Sequence, residues 1–527
     1  MKNILKAISR VFQKYGLYCL GIVIIVLNVS LAFDNVVWGD EAFSGNTIYN
    51  TSLYGMFQKI YYWDSHPPLY YYWLRLVADI LGYKTYVYHM ASLIPFVIGI
   101  ILALTVFRKN LGKIPVAFFI VLSGLSASCV EYNLEIRMYA LLFLEILVCV
   151  FCFYKLTETW DKKSLWIILT IFGVLAAYTH YYGLVVSGII IFTVMISDFI
   201  LNRKIIRGIS AIVAYIILYM PWLCVFISQV KRVGSSWWMT EIAPLSVLTE
   251  MMFCGKNLEG ILKFLTIVFT LFIFFKESEI VYLTIDNESS TIKWHISKPN
   301  IKKWSRELFV LLMLWLVVVL TIAFTYAISL LLSPLTVARY MYPLVPVILF
   351  ILMLCVRRIL AYGHIKWGDE EYGTVNEEKK DKQVFLVNPQ SGILKKVIFA
   401  IISIVFLVIL FISLLDFKYF RSVSKTQEFQ TQKVLSIIGE PSEDAVFTAT
   451  GVKHLSWTVL YYYFPEHEIM GYSPNEVDSS ENDIWAFVGS AMSDENMLDM
   501  KEKGYSVDIY MDLWMGQYGC NLHHFYK

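Results

Sequence analysis

Long apolar stretches, each broken by charged or turn residues, recur along the chain to about residue 415. A helix crosses a bilayer on about 20 apolar residues, because only there are all its backbone groups satisfied internally. Eleven such stretches stand out, at 17–33, 90–107, 114–129, 138–154, 165–178, 183–201, 208–227, 264–275, 308–332, 341–356 and 397–415. Several are short for a straight span, and one further helix fits within 70–82. Composition agrees, with 57% hydrophobic and 16% charged residues, against roughly 25% charge in soluble domains. This excludes a disordered chain, a secreted disulfide scaffold and an ordinary soluble enzyme. The net charge of +2 gives no reason to expect a nucleic-acid partner.

The distribution of Lys and Arg sets an orientation. With the N-terminus in the cytoplasm, the inner segments carry 27 of the 44 basic residues and the longer outer segments carry 17. An odd number of spans then puts the C-terminal tail outside. The first span follows Lys2, Lys6, Arg10 and Lys14, and Ser30 and Ala32 resemble a signal-peptidase site. Its apolar core is longer than a usual signal sequence, so an uncleaved anchor is expected. Of the eight Cys, only Cys254 and Cys520 fall outside the membrane, and no spacing supports a disulfide between them. No nucleotide-binding motif occurs.

The sequence divides at residues 1–417, a transmembrane module, and 418–527, a small outer domain. Inside, 280–285 and 291–296 alternate around a turn and read as a β-hairpin. Segment 361–396 is charged and reads as a loop. In the tail, strands at 445–450, 467–472, 484–489 and 507–511 alternate with helices at 455–464 and 496–503. That alternation suggests an α/β domain on a parallel sheet.

The unusual polar residues lie on the outer side. Trp38-Gly-Asp40-Glu41 follows the first span, and Asp64-Ser-His66-Pro-Pro lies later in the same loop. Glu131, Glu135, Arg137 and Tyr139 occupy the second outer loop and the start of the next helix. His180 lies in the third loop, and Arg339-Tyr340-Met-Tyr-Pro at the outer mouth of the tenth span. Acidic pairs suit a general base or a divalent cation. Arginines suit an anion, most naturally a phosphate.

Taken in order, Trp-Gly-Asp-Glu, His-Pro-Pro-Leu-Tyr-Tyr, Glu-Ile-Arg-Met-Tyr and Arg-Tyr-Met-Tyr-Pro resemble the GT-C glycosyltransferases. The protein O-mannosyltransferase and aminoarabinose-transferase branch is the most similar. The resemblance covers about residues 1–415. It implies a mainly α, polytopic bundle of about 11 spans with an extracytoplasmic active face in the cell membrane. It also implies a polyprenyl-phosphate sugar donor, an extracytoplasmic acceptor and inversion at the anomeric carbon. Asp40 would be the general base, with Glu41 beside it. Arg137, Arg339 and Tyr340 would hold the donor phosphate, and His66, Glu135, Tyr139 and His180 would position substrate. Some relatives use a divalent metal, so Mg or Mn at Asp40, Glu41 and His66 is one option, though the spacing does not demand it.

Each residue also has a plainer reading. Asp40 and Glu41 could be solvated loop residues, His66 could end a helix ahead of two prolines, and the arginines could snorkel to headgroups. His180 could be a structural interfacial histidine. Glu145, two turns into the fourth span, reads as a hydrogen-bonded packing residue, and Asp198 as a partner of Arg203 or Lys204. A transporter is the competing class. It would place polar residues near the midplane rather than at one surface.

Overall fold

The computed structural model describes the chain except for residues 1, 35, 237–238, 279–280, 287–290, 297–300, 302–303, 368–369, 372–391, 452–456, 471–472 and 490–491. Among the described residues, nine helices are long and apolar enough to cross a membrane. Each overlaps one of the expected spans. A further apolar pair, Lys113–Leu125 and Ala127–Leu134, meets the same test only when joined and is bent by 63°. The expected straight span 114–129 is therefore broken. At Ser126 the backbone turns extended, and its hydroxyl bonds back to the Leu122 carbonyl at 2.6 Å. The eleventh stretch forms the shorter apolar helix Lys163–Thr179.

Helices Tyr139–Leu156 and Ala338–Tyr362 are the most deeply buried and form the centre of the bundle. Their Phe and Tyr side chains interlock, as in the T-shaped pair Tyr154–Phe350. The first connection is not an open loop. It folds into helices Gly39–Ile48, Leu53–Trp63 and Leu69–Leu81, the last within the stretch that read as one further helix. The prolines after His66 precede Leu69–Leu81 and begin it, with Pro68 as its N-cap. Pro is tolerated there because the first N–H groups of a helix have no intrahelical acceptor.

Strands Val281–Asp286 and Thr291–Ile296 pair antiparallel, as the alternation predicts. Most of segment 361–396 lies outside the described residues, as do Leu455 and Tyr472 at the edges of two expected tail elements. The division at 417/418 falls within a single helix, Gly392–Ile438, of 47 residues. Bundle and tail are thus joined by continuous helix rather than by a linker.

The tail contains strands Val446–Thr450, Glu468–Met470, Asp483–Val488, Ser506–Met515 and Tyr518–Tyr526, with helices Trp457–Tyr463 and Asp494–Glu502. The first three strands pair in parallel. The last two form a hairpin that joins antiparallel beside Asp483–Val488, so the sheet is mixed rather than parallel.

All eight Cys are free. Cys254 lies against Cys129, not Cys520. Asp198 bonds Arg207, at 2.8 and 2.7 Å, and not Arg203 or Lys204. Arg203 sits at the left-handed C-cap position with its guanidinium over the Phe199 ring, which carries it away from Asp198. Glu145 accepts a hydrogen bond from the Thr179 hydroxyl at 3.0 Å.

Candidate active site

Helix Gly39–Ile48 begins the site. Asp40 and Glu41 occupy its first turn, where carboxylates oppose the positive end of the helix dipole. Glu41 is buried and its carboxylate is committed to the backbone. It accepts from the Trp38 N–H at 3.1 Å and from the Ile136 N–H at 2.8 Å. Burial raises its pKa, with His89 and these two bonds acting against the rise. Glu41 thus ties the first connection to the second. Asp40 is the more open acid, and its Oδ2 lies 3.2 Å from Arg339 Nη1. The Arg339 guanidinium also stands over the Trp38 ring, 5.5 Å from its centroid.

Arg137 is buried in the turn before helix Tyr139–Leu156. Its Nη1 donates to the Tyr71 hydroxyl at 3.1 Å and reaches the Ser44 hydroxyl and Asp40 carbonyl at 3.4 and 3.5 Å. Its Nη2 lies 3.1 Å from His66 Nδ1. That same ring nitrogen is 2.8 Å from Asp64 Oδ1. Protonated, Nδ1 donates to Asp64; bare, it accepts from Arg137. Asp64 also accepts from the Tyr71 hydroxyl. Burial would push its carboxyl up, but His66 and Arg137 outweigh burial and hold it well below the ordinary range.

His180 lies beyond His66, with ring centroids 5.2 Å apart, and equally near the Tyr340 ring. Its Nδ1 accepts from the Tyr182 N–H at 2.9 Å and caps helix Tyr181–Asn202. The proton of the neutral ring is therefore on Nε2, which is buried without a partner. Burial, then the charges of His66, Arg137 and Arg339, lowers its pKa well below 6.5, so the ring stays neutral. Tyr139 packs between His180 and Tyr132. Glu135 accepts from Trp38 Nε1 at 3.1 Å through Oε1.

The nine expected residues therefore form one connected cluster. Since four separate connections meet in it, they share one end of the bundle. The tail reaches the same end. The Tyr518 hydroxyl accepts from the Gly39 N–H at 2.9 Å, and Asn46 donates to the Thr458 carbonyl at 2.8 Å. Gly45 allows this contact, because a Cβ there would lie 2.5 Å from the Tyr462 ring.

Asp40, Glu41 and His66 do not converge as metal ligands. Among the described residues no group of three His, Cys, Asp or Glu is placed to hold a metal. Glu41 is engaged by backbone, His66 by Asp64 and Arg137, and Asp40 by Arg339.

In the sequence Ser44 and His89 have no assigned part, Tyr71 reads only as one of an aromatic run at the interface, and Asp64 only as the acid before His66. Asp64 stands two residues before His66, and that spacing was its signal. His89 sits just ahead of an expected span and had none.

No family model matches the chain, and no curated protein is similar to it. Two solved structures share its architecture. ArnT from Cupriavidus metallidurans in the apo state superposes with a TM-score of 0.57 at 10% identity, covering 97% of this chain and 98% of that one. The same protein bound to undecaprenyl phosphate gives 0.54 at 12% identity, with the same coverage. The fold is of the GT-C type. At this identity the likeness concerns the fold alone. Within the GT-C fold of this chain, the acidic pair, the two arginines and the histidines occupy one end of the bundle.

Proposed function

We propose that the chain is a membrane glycosyltransferase of the O-mannosyltransferase and aminoarabinose-transferase type. It moves a sugar from a polyprenyl-phosphate donor to an extracytoplasmic acceptor on a protein, a lipid or a cell-wall glycan. The observation that carries this reading is the Asp40–Arg339 pair beside the Arg137–His66–His180 cluster. It joins a half-exposed carboxylate to cationic and neutral hydrogen-bond donors. A similar fold has been solved with undecaprenyl phosphate bound, and the basic residues of the loops favour an outward-facing site.

In this reading the donor phosphate draws Arg339 away from Asp40. The freed carboxylate takes the proton of the acceptor hydroxyl. The acceptor oxygen bonds to the anomeric carbon from the face opposite the phosphate, which inverts the centre. The carbon–oxygen bond to phosphate breaks, and polyprenyl phosphate leaves with the electron pair. Arg339 and Arg137 hold its charge, with Tyr340 beside them. His66, Glu135, Tyr139 and His180 position the substrates.

The test uses the full chain in detergent with undecaprenyl-phosphate hexoses and pentoses as donors and the protein, lipid and glycan fraction of the native membrane as acceptor. The wild type should release undecaprenyl phosphate from at least one of them. Asp40→Asn should lower release by about 10²–10⁴-fold at unchanged protein level. Full activity in that variant removes Asp40 as base. No release by the wild type overturns the enzyme reading in favour of a transporter, which needs two compartments to act.

A further inference from the structure

A cavity of about 470 Å³ is lined by Glu41 but not by Arg137. Its polar lining includes Asp34, Glu41, His89, Glu131, Glu135 and Arg339, with Ser424 and Gln427 of the long helix. Trp38, Tyr132 and Tyr419 add aromatic faces, and Gln517 of the tail stands at its rim. The cavity thus lies between the bundle, the long helix and the tail domain. Arg339 belongs to its wall and to the Asp40 pair, so one side chain separates the cavity from the candidate base.

Two of its side chains carry buried atoms with no partner among the described residues. Glu135 uses Oε1 for Trp38, while its Oε2 is unpaired. His89 Nδ1 lies 2.9 Å from the Leu134 carbonyl, which only a protonated Nδ1 can engage, so the neutral ring leaves Nε2 as an acceptor. That atom is unpaired too. Both residues are more than nine-tenths buried. Buried polar atoms are rarely left without a partner, and such exceptions point to one that arrives with a ligand.

The chemistry of the wall selects that ligand. Burial holds the three glutamates toward their neutral form, so with His89 they offer uncharged donors and acceptors. The one arginine of the wall already faces Asp40, so a phosphate or carboxylate finds no free counter-charge there. Hydroxyl groups donate to such acceptors and also accept from Arg339, and the carbon face of a sugar ring can lie on the aromatic side chains. We infer that this cavity is the acceptor subsite, and that it takes an uncharged, hydroxyl-rich headgroup, a sugar, and rejects anionic ones. This rests on the glycosyltransferase reading, with the donor phosphate on the arginine side and the acceptor on the glutamate side.

The experiment measures binding apart from transfer. The full chain in lipid nanodiscs is titrated with methyl glucoside, and glucose 6-phosphate is the matched anionic competitor, both followed by saturation-transfer NMR. Gln517→Trp narrows the rim without touching the buried wall. Glu135→Gln keeps an oxygen for Trp38 and replaces the free carboxyl end with an amide. Methyl glucoside should bind saturably, and each variant should weaken it about fivefold or more, the worth of one hydrogen bond. Glucose 6-phosphate should not compete. The inference is overturned if methyl glucoside fails to bind, if both variants bind it as the wild type does, or if glucose 6-phosphate competes equally. Release of undecaprenyl phosphate is scored separately in the same preparations. Its absence in the wild type strikes at the glycosyltransferase reading, whereas the binding data bear on the cavity alone.

Discussion

Arg339 Nη1 and Asp40 Oδ2 stand 3.2 Å apart, and each has a second allegiance. Arg339 also stands over Trp38 and lines the cavity, while the Asp40 carbonyl lies within reach of Arg137. If Arg339 serves the donor phosphate, Arg339→Ala should lower turnover by about 10²-fold, as loss of one charge-stabilising donor does. Arg339→Lys should recover only part, since an ammonium lacks the planar fork of donors. Release of undecaprenyl phosphate at saturating and limiting donor checks both. Equal rates for the wild type and the alanine variant would remove Arg339 from the phosphate site.

Asp64 is the anchor of the Arg137 cluster rather than a reacting group. Asp64→Asn removes the buried carboxylate that pairs with His66 and lies near Arg137, and the expected loss is about 3 kcal/mol at neutral pH. The sign with pH follows from its lowered pKa. The contribution is present above about pH 3.9, the unfolded value, and fades as pH falls below it. Thermal unfolding in detergent should therefore separate the two proteins widely at pH 7. Below about pH 4 the wild type should lose stability faster than the variant.

Glu135 behaves in the opposite sense. Burial, with Glu41 and Glu131 nearby, pushes its carboxyl well above the ordinary range despite Arg137 and Arg339. The folded chain keeps a proton that the unfolded chain releases above about pH 4.3, so the group lowers stability as pH rises past that value. Glu135→Gln keeps an oxygen for Trp38 and removes the titration. Its unfolding midpoint should exceed that of the wild type at pH 8, with the gap closing toward pH 4. A gap independent of pH would contradict this account.

His180 combines a cap and a free N–H, and two substitutions separate them. His180→Ala loses the bond from the Tyr182 N–H and should cost about 1 kcal/mol, the usual worth of a cap. His180→Asn can cap the helix again, so stability should return nearly to the wild-type value. Its shorter side chain does not replace Nε2–H between His66 and Tyr340, so sugar transfer should stay reduced by about tenfold or more. Recovery of both stability and transfer in the asparagine variant would leave His180 with the cap alone.

The spans and the site motifs were legible because each is a local pattern. A run of apolar residues declares a membrane helix, and Asp40, Arg137 and Arg339 stand out as charges beside such runs. Partnership is not local. Asp64 and Tyr71 are seven residues apart in sequence, yet they matter because they bond each other while Arg137, from another connection, donates to Tyr71. The same limit explains the tail. Strand Ser506–Met515 runs past the expected 507–511 because its register shifts between Tyr510 and Leu513, where Asp512 takes a positive φ of 55°. That irregularity hides the period-two pattern. The charges after Leu415 looked like the end of a span, although the helix continues through them to Ile438. There its buried Phe417, Val434 and Ile438 alternate with exposed charges, an amphipathic pattern that needs no membrane.

That long helix also acts as a phase lock. It leaves the bundle, passes the cavity at Tyr419 and Ser424, and receives the Gly516 N–H at Thr431, 2.8 Å away. The Tyr518 hydroxyl, on the strand just beyond, meets the first turn that carries Asp40. Each residue of a helix turns its successors by about 100° and raises them about 1.5 Å. One residue inserted between Phe417 and Thr431 would swing the sheet away from Gly39 while leaving every motif of the bundle intact. The seating of the tail domain on the acidic turn is thus set by counting residues along a rod.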